Sequence, residues 1–222
     1  MSEMYIAIFI GGFLGLFGLI IFLTYLYEKK RTEKLNKIAQ FAGFSFTKKK
    51  DPKEIPFRNE FKDFNRGHSR TVKNFMQGRK NQISWTIFDY KYTVGSGKHS
   101  HTYNYTIFHT KLEKPIAAFI LGKENFINKI AAKIGYNDID FDSHPEFSNY
   151  YLLKGTDENK IRQTFNTNIL AYFEQNKSNF QIETNQNNMI ILKPFKRIKP
   201  AEFNITIDEI TKIVKLFDKP KY

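Results

Sequence analysis

From Met4 to Tyr27 the chain carries no charged residue. At ~1.5 Å per residue, a helix of that length crosses a hydrocarbon core of about 30 Å. Tyr5 sits at one end and Tyr25 and Tyr27 at the other, where amphipathic rings favour the headgroup layer. A cleaved signal peptide would place positive charge before the apolar run and a small-residue cleavage site after it. Here Ser2 and Glu3 lead, and Glu28-Lys-Lys-Arg31 follows at once. Residues 1–27 therefore read as a retained single-pass anchor in the lipid bilayer. Lys29, Lys30, Arg31, Lys34 and Lys37 all lie on its C-terminal side. The positive-inside rule then predicts a plasma (inner) membrane protein, N-out, with residues 28–222 cytoplasmic. Ala7, Gly11 and Gly15 recur at every fourth position, which sets them on one helix face. Small residues there let two spans approach closely, so a homodimer face stands beside the plainer fact that glycine is common in spans.

Beyond the span the pattern moves between helical and alternating periods. Leu35, Ile38, Ala39 and Ala42 form one face of a helix over 28–42, with Gly43 placed for a left-handed C-terminal cap. Lys-Ile-Ala, three residues, Gly and an aromatic recur at 37–44 and 129–136, a similarity that two glycine-capped helix ends explain without duplication. Residues 48–66 are charged and irregular, with Pro52 and Pro56. Two strands then flank Gln77-Gly-Arg-Lys-Asn81 as a hairpin. Within 83–94 the apolar phase shifts: Trp85 and Ile87 have one parity, Phe88, Tyr90 and Tyr92 the other. A single strand with one covered face cannot bury both sets, so a bulge near Ile87 is expected. Gly95–Ser100 closes the next hairpin, in a register pairing Phe88 with Ile107, Tyr90 with Tyr105 and Tyr92 with Tyr103. Asp89, Lys91 and Thr93 then share the polar face with Thr106, Asn104 and Thr102.

A strand follows over Pro115–Leu121, then a helix over Lys123–Ile134. Thr156 or Asp157 caps a helix that turns Ile161, Phe165, Ile169, Tyr172 and Phe173 inward. Phe180–Phe195 reads as a hairpin, and Thr206 with Glu209 as the capping box of a last helix. Antiparallel hairpins interleaved with about four helices give an α+β class, in one soluble domain or in two subdomains meeting near 123–136.

Composition changes this picture in two ways. There is no cysteine, which removes disulfides, thiolate metal sites and a cysteine nucleophile together. The formal charge is +13, and no Lys or Arg precedes Glu28. Such a field suits a polyanion, although a chain this rich in Lys, Asn, Ile and Phe also fits compositional drift. A single-strand binder would set aromatic faces beside the charge, whereas most aromatics here have strand-core parity. That favours anionic lipid over nucleic acid, through Lys29, Lys30, Arg31, Lys34 and Lys37 and, if folding turns them the same way, Lys48, Lys49 and Lys50. Lys193, Lys196, Arg197 and Lys199 form a later cluster under the same condition.

The candidate chemistry is thin. Gly95-Ser-Gly-Lys98 lacks the first glycine and the hydroxyl residue of a phosphate loop, having Tyr92 and His99 there, and leads into a strand. His99 and His101 share parity, but His109 lies about 26 Å further along an extended strand, out of reach of a common metal. Asp138, Asp140 and Asp142 have the spacing that opens a calcium loop, yet Ser143 and Asn149 stand where that loop needs Gly and Glu. Ile139 and Phe141 between them suit a strand, and Asp142-Ser-His-Pro145 a turn. His144 and Glu146 add an acid/base pair, so a metal-assisted hydrolase using Asp138, Asp140, Asp142, His144 and Glu146 stands as the enzyme alternative.

Phe88-Asp-Tyr-Lys-Tyr92, Gly95-Ser-Gly97, Pro115 with Phe119, Gly135–Phe141, His144-Pro-Glu-Phe-Ser148, Tyr151-Leu-Leu-Lys-Gly155 and Arg162 with Phe165 carry a resemblance. Over roughly residues 28–217 the chain resembles a family of uncharacterised bacterial proteins with an N-terminal membrane span and an α+β soluble domain. The resemblance implies that architecture and no activity, cofactor or catalytic residue. The expectation is thus a membrane-anchored, non-enzymatic interaction or scaffold domain without a cofactor. Its partner is an unspecified protein, and anionic-lipid binding is the third reading.

Overall fold

The apolar run and the amphipathic stretch after it form one helix, α1 (Ser2–Phe41), in a computed structural model that describes residues 2–123 and 138–218. Ile8, Phe9, Phe13, Phe17 and Phe22 are exposed, and the helix is long and apolar enough to cross a membrane. Past Glu28 its character changes, and Leu35 and Ala39 are buried. The end is closed as the glycine predicts. Gly43 takes φ 70°, the Phe44 amide donates to the Ala39 carbonyl at 2.8 Å and the Gly43 amide to Gln40 at 3.1 Å.

Strands β1 (Ser45–Lys50), β2 (His68–Lys80), β3 (Ile83–Val94), β4 (His101–Lys111), β5 (Phe119–Gly122), β6 (Leu152–Gly155), β7 (Gln181–Asn185) and β8 (Asn188–Leu192) build one eight-stranded sheet. Its order is β1-β2-β3-β4-β8-β7-β5-β6, and every neighbouring pair is antiparallel. The class is α+β as expected, but separate hairpins understate the continuous sheet. It takes strands from both sides of 123–136; apart from Lys123, that junction lies outside the described residues, as do nearly all of the expected 123–134 helix and the second copy of the repeat. Part of the stretch read as irregular, 48–66, is the end of β1, and the remainder holds three short 3-10 turns.

The predicted register of β3 on β4 is the observed one: Phe88 faces Ile107, Tyr90 faces Tyr105 and Tyr92 faces Tyr103. The expected bulge in β3 is not there. Both parities are buried because both faces of the sheet are covered. Trp85 and Ile87 pack under the helices with Leu35, Phe203 and Ile207, while Phe88, Tyr90 and Tyr92 pack under Ile55, Phe57, Phe61 and Phe64 of the 3-10 strap. The irregularity sits instead in β2, where Lys73 pairs with Asp89 and Met76 with Ile87. Two residues there oppose Phe88, and Asn74 adopts φ 52°, a left-handed setting that asparagine tolerates. The tight turn is Asn81-Gln82, both at positive φ, later than Gln77–Asn81 suggested.

The described α-helices all pack on one side of the sheet. They are α1, α2 (Pro145–Tyr150), α3 (Glu158–Thr164), α4 (Thr167–Asn176) and α5 (Phe203–Phe217). Asp157, not Thr156, caps α3, accepting from the Lys160 amide. The single helix expected there is two, because Asn166 caps α4 through the Asn168 and Ile169 amides. Ile161, Phe165, Ile169 and Phe173 still face inward, since the break keeps the apolar phase. The last helix starts at Phe203, three residues before the predicted capping box. A 3-10 turn at Pro200–Glu202 leads into it, and Thr206 is buried inside the helix.

On the strap side, His109 stacks on Phe57 with ring centroids 3.5 Å apart and an 11° interplanar angle. Its Nε2 pairs with Asn188 Oδ1 at 2.9 Å, and Asn188 in turn donates to Glu60. Burial lowers the imidazole pKa from 6.5 to about 4. Between those values the unfolded chain binds a proton that the folded chain refuses, so stability should fall as the pH drops. At ~1.4 kcal/mol per pH unit of displacement, about 3 kcal/mol is lost from pH 7 to pH 4. Urea melts over that range should show the loss beginning near pH 6.5, and His109→Phe should flatten it. An unchanged slope in the variant would remove His109 from the account.

Candidate functional site

The site where helix meets sheet is built around one buried ion pair. Arg31 and Asp89 are each 4% exposed. Arg31 Nε and Nη2 donate to the two carboxylate oxygens of Asp89, each at 2.8 Å, and Nη1 donates to the Ile198 carbonyl at 2.8 Å. Asp89 also accepts from Thr106 Oγ1 at 2.7 Å and from Asn74 Nδ2 at 2.8 Å. Thr106 Oγ1 receives the Ile198 amide at 3.0 Å. The β2 bulge thus has a local purpose: it turns Asn74 inward onto the carboxylate.

One turn nearer the apolar segment a second pair repeats the motif. Arg197 donates to both Glu28 oxygens at 2.9 and 2.6 Å, lies over the Tyr27 ring at 5.9 Å, and has Asp89 at 3.9 Å. The hydrogen bond from Arg197 holds the Glu28 carboxyl below its ordinary value despite partial burial, and the charges of Lys73 and Arg31 add to the pull. Two parallel N–H···O bonds per guanidinium fix angle as well as distance. The helix therefore leaves its apolar segment already clamped to β3, β4 and the chain before α5.

Of the basic residues assigned to the membrane surface, Lys29, Lys30, Lys34 and Lys37 are exposed on α1, but Arg31 is buried in the clamp and faces no headgroup. Lys48 and Lys49 are exposed on β1, whereas Lys50 pairs with Glu54 at 3.8 Å and lies over Phe75. The register sets Lys49 opposite Lys73, and Lys73 is near enough to Glu28 to draw on its carboxyl. Ala7, Gly11 and Gly15 lie along α1, and nothing described comes within 4 Å of a Cβ built on Gly11 or Gly15.

The acidic stretch has structural partners at most positions. Asp138 Oδ1 accepts from the Ile139 and Leu153 amides at 3.0 and 2.9 Å. Residues 138–141 form no strand, although Ile139 and Phe141 are buried and Asp138 and Asp140 exposed, as the alternation predicts. The Asp140 carbonyl accepts from Arg162, and Asp142 is exposed in a turn. His144 Nδ1 pairs with Glu174 Oε2 at 2.9 Å and not with Glu146, which lies 3.7 Å from Lys177. Glu174 also accepts the Phe147 amide. Its hydrogen bond to His144 holds the Glu174 carboxyl below the ordinary value. Among the described residues no group of three or more His, Asp and Glu is arranged to hold a metal ion. His99 and His101 are exposed at a hairpin end, and His109 is remote in the core.

Sequence reasoning placed Asp89 and Thr106 on a polar face and missed their burial. The signal was present: Asp89 continues the parity of Trp85 and Ile87, and Arg31 shares a helix face with Leu35 and Ala42. A charge on each of two apolar faces calls for a mutual partner.

No family model and no curated protein matches the chain. The family resemblance thus rests on the quoted motifs alone. Among solved structures, the fold is similar to the crystal structure of the mycobacterial trehalose monomycolate transport factor A, TtfA. The TM-score is 0.55 at 12% identity, covering 86% of this chain and 98% of that one. At that identity the likeness is one of fold, shared with a bacterial protein.

Proposed function

We propose that this chain is a membrane-anchored, non-enzymatic interaction or scaffold domain, N-out with residues 28–222 in the cytoplasm. The observation that carries the reading is the clamp: Arg31 and Asp89 bind the emerging helix into the sheet through charge-assisted bonds on every side. An enzyme acting on a diffusible substrate works as well on a loose tether. A domain that meets a membrane partner gains from a fixed height and angle above the bilayer. The fold is shared with a protein named as a transport factor, and the exposed Lys29, Lys30, Lys34 and Lys37 support the cytoplasmic side. The partners held by Asp138, His144 and Glu146 weaken the hydrolase alternative.

A tagged fusion after Tyr222 tests the reading in one strain. The tag should be active as a cytoplasmic reporter and should retain a stoichiometric protein partner from native membranes, with the yield reduced by loosening the clamp in Asp89→Asn. Activity confined to a periplasm-specific reporter would reverse the orientation. One equivalent of zinc, manganese or calcium surviving dialysis would replace the scaffold reading with the hydrolase.

A further inference from the structure

Beside the clamp lies a cleft of about 420 Å³. It is within the size range of small-ligand sites. Among the described residues, Lys123, Lys193, Lys196, Arg197 and Lys199 line it, with Glu202 as the one acid. Lys123 Nζ lies 4.5 Å over the Tyr150 ring and Lys193 Nζ 5.2 Å over Phe180, so aromatic faces position these ammonium groups without neutralising them. Lys199 is 3.5 Å from Glu202, and Arg197 is paired on its far side with Glu28. Among the described residues, five cations against those two acids leave three positive charges around one cleft.

Its height is set by Arg197. That side chain touches both Tyr27 and Glu28, the last aromatic residue of the apolar run and the first charged residue after it. If the run spans the bilayer, the cleft opens at the headgroup layer. Concentrated cations at that depth recognise phosphate and repel the ammonium group of a zwitterionic lipid.

We propose that the cleft binds the phosphate of an anionic phospholipid headgroup from the adjoining leaflet. The proposal shares the membrane anchorage of the preceding reading and is independent of its protein partner. The same phosphate chemistry is available from a soluble phosphate ester, which the test separates.

The chain has no cysteine, so Asn179→Cys on the cleft wall gives a single labelling site for an environment-sensitive fluorophore. The labelled full-length chain is placed in nanodiscs of phosphatidylcholine, of phosphatidylcholine with phosphatidylglycerol, and of phosphatidylcholine with free glycerol phosphate in solution. Emission should shift with phosphatidylglycerol content. Lys193→Glu with Lys196→Glu should raise the half-maximal content about tenfold. The milder Lys193→Gln with Lys196→Gln should shift it in the same direction, with an unchanged circular dichroism melt showing that the fold survives. Lys48→Glu with Lys49→Glu, on β1, should change it less. Identical emission in the neutral and anionic discs, with no response to glycerol phosphate, would overturn the site. A response to glycerol phosphate but not to phosphatidylglycerol would overturn the lipid source. An equal effect of the β1 reversal would assign the binding to general surface charge and overturn the cleft. None of these outcomes alters the co-purification result, so the two readings fail separately.

Discussion

Replacing Asp89 with Ala should destabilise the full-length chain by about 3–5 kcal/mol, because it strands a buried guanidinium. Arg31→Ala should cost about as much from the other side. The double replacement Arg31→Met with Asp89→Leu restores apolar matter to both faces and should recover most of the loss. Urea denaturation in detergent, followed by tryptophan fluorescence of Trp85, compares the three variants with wild type. The side chain of Trp85 shares the parity of Asp89 on β3 and packs against Phe108. Single replacements within ~1 kcal/mol of wild type would mean that the pair behaves as an ordinary surface salt bridge. That result would also remove the fixed height on which the scaffold reading rests.

Ile87→Ala and Phe88→Ala should both behave as core truncations, although the two residues are neighbours in sequence. Each is fully buried, Ile87 under the helices and Phe88 under the strap. Phe88 has Phe57, Phe64, Phe75 and Tyr90 rings within 6.5 Å. Expected losses are about 3–5 kcal/mol for Phe88 and about 2–5 kcal/mol for Ile87. A sheet with one covered face would suffer at only one of the two. Protease mapping adds a directional check: Phe88→Ala should open the 52–65 strap first, and Ile87→Ala should leave it closed. Equal nicking of the strap in both variants would contradict two separate cores.

Residue pattern alone reached the β3–β4 register, the Gly43 cap and the inward faces of α3 and α4, because each is set by local period or by a single backbone requirement. It failed where a covering element came from far along the chain. The strap at 52–65 has few periodic apolar residues, so nothing local announced that Phe57, Phe61 and Phe64 would roof the second face of β3. The phase shift at Ile87 and Phe88 marks a real conflict, which a second cover resolves in place of the expected bulge in β3. The clamp failed for the same reason: Arg31 and Asp89 are 58 residues apart. Arg31 next to a membrane run also has a simpler surface explanation. The cleft joins Lys123 to Lys193 and its neighbours only through the long-range order of the sheet, so no local period could disclose it.

Between Leu19 and Phe41 the first helix contains neither glycine nor proline, and no break interrupts it. Kinks need such residues or an inserted group, so this length is a stiff shaft. With its lower end keyed into β3 by the guanidinium pair, it has no universal joint. Tilt, rotation or axial sliding imposed on the upper end would be delivered to the sheet as whole-body motion.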